Sequence, residues 1–164
     1  MSGSESEVVV HDQPAWRDRA DFVLFAAIDG EGTPKKWEQI WARSRGEHSY
    51  EICCIPFFVY DLALGDVVVV GPRDDKHFVI SDVVEKSGRY VFRAWFGENH
   101  DRRAQEELIE FVSAQGLLVE RRSAHLVAID AASHAQAQML GDFLEEREKA
   151  GRLSYETGRS GEQP

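Results

Sequence analysis

The hydrophobic pattern of this chain changes period near residue 100, and that change limits its fold more than any other feature. Before it, short apolar runs are punctuated by turn signals. Phe22–Ile28 ends at Asp29-Gly30-Glu31-Gly32, Ser49–Ile55 ends at Pro56, and Val67–Val70 lies between Leu64-Gly65-Asp66 and Gly71-Pro72-Arg73-Asp74-Asp75. His77–Glu85 and Tyr90–Phe96 follow, separated by the turn at Ser87-Gly88. Runs of this length bounded by Gly, Pro and Asp read as strands. Trp37–Arg43 fits a strand or a short helix equally well. Strands at such close spacing suggest a small barrel or a strongly bent sheet.

Beyond residue 100 the apolar residues recur at helical spacing. Leu108, Ile109, Phe111 and Val112 share one face of a helix over residues 101–115, and Gly116 stops it. Leu117–Glu120 and His125–Ile129 read as strands joined by the turn Arg121-Arg122-Ser123. Ser133 precedes Gln136 by three residues, a capping-box pattern that opens a second helix running to Ala150. Leu153–Tyr155 supplies a final strand. Counted from Tyr90, the order is β-α-β-β-α-β, the ferredoxin-like arrangement. Its helices cover one face of the sheet, and the β-rich half is the natural cover for the other. The expected fold is therefore α+β. A barrel-like β-rich half over residues 21–88 packs with a ferredoxin-like half over 89–157. Residues 1–20, with Val8-Val9-Val10 as an edge strand, and 158–164 read as mobile tails.

Composition narrows the function. The 164 residues are 43% hydrophobic, enough for one core without a metal or disulfide staple. Twenty-nine acids against 19 Lys and Arg give a net charge of −10. That balance argues against nucleic acid and anionic membranes, and in favour of a basic protein or peptide as any charged partner. Cys53 and Cys54 are the only cysteines. The first residues lack the basic and apolar regions of a signal peptide. A cytoplasmic protein with reduced thiols is expected.

Several pieces together resemble a known bacterial family. These are Glu38, Trp41 and Ala42 in WEQIWAR, then Tyr50, Ile55-Pro56-Phe57-Phe58, Leu64-Gly65-Asp66-Val67-Val68, and Ser87-Gly88 before a strand. The family is DUF4265, and the likeness runs from about Phe22 to Tyr155. Cys53-Cys54 stand where the resemblance leads one to expect polar residues. The resemblance implies a soluble bacterial protein and carries over no activity, cofactor or catalytic residue.

The residue types that carry chemistry are dispersed. Neighbouring side chains of a strand point to opposite faces, so Cys53 and Cys54 do not readily chelate one metal. No pair among His11, His48, His77, His100, His125 and His134 has the i, i+4 spacing of a helical metal site. His48 lies nearest the cysteines in sequence. No G-x-S-x-G elbow is present, and Lys86-Ser87-Gly88 reads as a hairpin turn. No catalytic residue, metal or cofactor is expected. The best candidates for contact with a ligand or partner are Asn99, His100, Arg102 and Arg103. There a strand meets a helix N-terminus, with Asn99 or Asp101 as the cap. Phe57 and Phe58 join them as anchors if exposed beyond Pro56. The leading expectation is a non-catalytic binding or regulatory module for a protein or peptide. A small-molecule-sensing domain, which predicts a homodimer, is the alternative. A small enzyme using Cys53, Cys54 or His100 comes third.

Overall fold

The computed structural model describes residues 7–28, 36–71, 78–98 and 101–159. The turn signals at 29–32 and 72–75, the residues Asn99 and His100, and the extreme ends lie outside them. The chain is α+β, and its described residues form ten strands in two sheets and two α-helices.

The first sheet contains β1 (Glu7–Val9), β2 (Phe22–Ile28), β3 (Lys36–Ser44), β4 (Ser49–Ile52), β5 (Val67–Val70) and β6 (Ile80–Glu85). WEQIWAR is thus a strand. Its even positions Glu38, Ile40 and Ala42 are fully buried, whereas Trp37, Gln39 and Trp41 on the other face are not. β3 pairs from Lys36 to Ala42 with antiparallel β2, while β1 and β4 share its other edge. β4, β5 and β6 continue antiparallel, with two register shifts between β5 and β6. The shifts bend the sheet until Phe25 of β2 meets Val79 in a single parallel bridge. The barrel expected from the strand spacing does not close: one bridge is not a ladder, and β2 and β6 leave a seam. Leu24, Ala26, Ile40, Ala42, Ile52, Cys54 and Val68 fill the concave side.

The second sheet contains β7 (Tyr90–Trp95), β8 (Leu118–Arg121), β9 (Leu126–Ala131) and β10 (Ser154–Thr157) in the order β10-β7-β9-β8, all antiparallel. α1 (Arg102–Ala114) connects β7 to β8, and α2 (His134–Lys149) connects β9 to β10. Asp101 caps α1 by accepting the Ala104 N–H. Ser133 caps α2 through the Gln136 N–H, and Gln136 reaches back to the Ala132 N–H rather than to that of Ser133. Gly116 and Gly151 take positive φ after the helices, which lets the next amide close a wide final turn. Phe92, Ala94, Val127 and Ile129 face the helices and pack on Leu108, Val112, Leu140 and Leu144. Val91, Leu126 and Ala128 face the other way, against Val9, Ile55 and Phe57. The β-rich half therefore covers the face the helices leave open.

Candidate functional site

Phase along the strands puts charge where an apolar residue is normal. Glu38 is in step with Ile40 and Ala42, so β3 turns its carboxylate into the interior. Glu120 on β8 faces the same interior from the second sheet. Both converge on His11, just after β1. His11 Nε2 lies 2.7 Å from Glu38 Oε2, and Nδ1 lies 2.6 Å from Glu120 Oε1. All three side chains are at most 2% exposed. The imidazole stacks on Phe57 with ring centroids 4.3 Å apart.

The protonation state follows from the partners. Glu38 also accepts the N–H groups of Phe57 (2.6 Å), Phe58 (3.0 Å) and Val59 (3.0 Å). Glu120 accepts those of Ile55 (2.6 Å) and Ala15 (3.0 Å). A backbone N–H can only donate, so each carboxylate is an acceptor toward the chain, and both ring nitrogens of His11 are placed to donate. Burial opposes a charged ring. Cys54 and the hydrogen bonds to Glu120 and Glu38 outweigh it and raise the His11 pKa to about 12. Burial also holds the Cys54 thiol above its ordinary range. The two carboxylate oxygens, 2.6 and 2.7 Å from the ring nitrogens, are the acceptors that face the proton. Burial would raise the Glu38 carboxyl, but His11 and the backbone N–H groups overcome it and the pKa falls. The cluster carries one net negative charge, spread over five peptide dipoles.

Dispersal along the chain does not survive folding for this set: His11, not the nearby His48, meets Cys54. The group is enclosed by the core and saturated by its own members. Cys53 is equally unreactive, its pKa pushed up to about 12 by burial and by Glu51. Among the described residues no three His, Cys, Asp or Glu side chains are arranged to hold a metal.

What the cluster holds is the crossing between the sheets. Cys53–Tyr60 is irregular, so its backbone groups have no ladder to join. The two carboxylates take the N–H groups of Ile55, Phe57, Phe58 and Val59 in that segment. Arg93, buried in the centre of β7, takes its carbonyls: Nε donates to Pro56 O at 3.3 Å, and Nη2 donates to Val59 O. Arg93 also pairs with Glu156 at 3.1 Å, and Tyr60 donates to the same carboxylate at 2.7 Å. A second clasp joins Leu64-Gly65-Asp66 to Ser87. Asp66 accepts the Ala63 and Ser87 N–H groups, and Ser87 Oγ donates to Leu64 O. Arg89 then grips the buried Asp130 with contacts of 2.6–3.1 Å.

Of the described candidates, Phe57 and Phe58 meet this cluster, Phe58 through its backbone N–H on Glu38, and Arg102 and Arg103 do not. Phe57 is 2% exposed and lies in the core under His11 rather than at the surface. Phe58 is half-buried, with the Arg122 guanidinium 5.3 Å from its ring centroid. Arg102 and Arg103 lie on the first turn of α1, more than four-fifths exposed, each paired with the acid four residues on, Glu106 and Glu107. Asn99 and His100 lie outside the described residues. Sequence reading missed His11, Glu38, Glu120 and Arg93 as a group. The available signal was phase: Glu38 shares the parity of the apolar Ile40 and Ala42.

The described residues also form surface depressions. One, of about 370 Å³, lies in the seam between β2 and β6. Another, of about 200 Å³, lies between Phe58, Trp95 and Tyr155. A third, also of about 200 Å³, is lined by Asp61, Asp66, Lys86, Arg89 and Arg159. No helix among the described residues is long and apolar enough to cross a membrane.

Comparison with known proteins adds the fold and the family. No curated protein matches the chain. A solved structure described as "Novel crystal structure of a hypothetical protein from Neisseria gonorrhoeae" is similar, with a TM-score of 0.71 at 18% identity, over 86% of this chain and 96% of that one. At that identity the likeness is one of fold. The family model for Domain of unknown function (DUF4265) matches residues 38–155, a span that includes Glu38, the clamped crossing, the Asp66–Ser87 clasp and Glu120. The chain belongs to the DUF4265 family.

Proposed function

We propose that this protein is a non-catalytic binding module for a protein or peptide partner, with a ferredoxin-like half serving as its rigid base. The βαββαβ order with antiparallel pairing supports that description of the base. The observation that carries the binding reading is the seam of the bent sheet. There two strand edges face one another across a cleft and are joined at Phe25–Val79 alone among the described residues. Sheet edges offer main-chain donors and acceptors to an incoming chain. Phe78 and Val84, at the same margin, are 36% and 57% exposed. The His11 cluster supports the reading in a second way. Its reactive groups are occupied by one another and by the backbone, so they serve the scaffold.

The test is affinity capture with the full chain, followed by titration of the purified captured protein in a calorimeter. A saturable complex of fixed stoichiometry is expected. Absence of any such complex, together with measurable turnover of a small substrate, overturns the reading.

A further inference from the structure

We draw no further inference here: the strongest candidate, the surface depression of about 200 Å³ between the Leu64-Gly65-Asp66 turn, Arg89 and Arg159, carries nothing, since Asp66 is engaged by the Ala63 and Ser87 N–H groups, Arg89 by Asp130, and Asp61 and Arg159 by contacts of their own, so nothing in the structure shows what would occupy it.

Discussion

At the scale of single residues, His11 does work that its position gives no hint of. It follows a short run of valines in a segment that reads as a polar tail, yet it is the counter-ion for carboxylates from both sheets. Removing one member of a buried charged set leaves the others uncompensated, at a typical cost of about 3–5 kcal/mol. His11→Gln should therefore lower the unfolding free energy by an amount of that order in urea titration; a loss under about 1 kcal/mol would show that the cluster is not held together by charge. The pH dependence has a definite sign. The His11 pKa is raised in the folded state from 6.5 to about 12, so its contribution is complete below pH 6.5 and is lost as pH rises through that interval. One proton corresponds to a slope of about 1.4 kcal/mol per pH unit. Glu38 is lowered from 4.5, so its contribution is present above pH 4.5 and lost as pH falls. The cluster stabilises most between pH 4.5 and 6.5. Urea titrations from pH 6 to 9 should show stability falling with pH in the wild type and more shallowly in His11→Gln. Parallel slopes would contradict the assignment of the proton to His11.

At the scale of elements, the sequence revealed what repeats and hid what does not. Phe22–Ile28, Val67–Val70 and both helices have bounds close to those read from their patterns, because local periodicity decides which face is buried. WEQIWAR was ambiguous because Glu38 broke the apolar alternation, and that acid is the signal of the buried cluster. The crossing at IPFF was legible as a break at Pro56, but not as a segment whose N–H and C=O groups are held from opposite sides by Glu38, Glu120 and Arg93. Those partners lie 19 to 65 residues away in sequence, and no local pattern encodes their meeting. The Leu64-Gly65-Asp66 turn shows the same division. Its Gly was readable as a turn. Its φ of +84° and the 3.1 Å approach of a would-be Cβ to Ser87 were not. Gly65→Ala should cost about 1–3 kcal/mol through backbone strain and displacement of Ser87, measured as a lower thermal midpoint. An unchanged midpoint would mean that the Asp66–Ser87 clasp has slack.

At the scale of the whole molecule, the His11 cluster makes the two sheets one cooperative unit. Glu38 belongs to the first sheet and Glu120 to the second. The segment from Val9 to Trp16 bridges them through His11, through the Ala15 N–H on Glu120, and through the Trp16 N–H on Cys53 O at 3.0 Å. Without that segment, two carboxylates would face each other in an apolar interior with no cation between them. The Glu38 carboxyl is held below its ordinary range by His11 and by the backbone N–H groups, against the effect of burial. The strap therefore does more than cover Ile55 and Phe57. It supplies the charge that lets the sheets approach. The full protein should unfold in a single sharp transition in scanning calorimetry, and a chain beginning at Asp21 should lose it, through early melting of the β-rich half or loss of the folded state. The loss should be deeper at pH 5 than at pH 8, because the His11 contribution that it removes is complete below pH 6.5 and shrinks as pH rises. A truncated chain that melts in one transition at the full-length temperature would show that the sheets associate through their apolar faces alone.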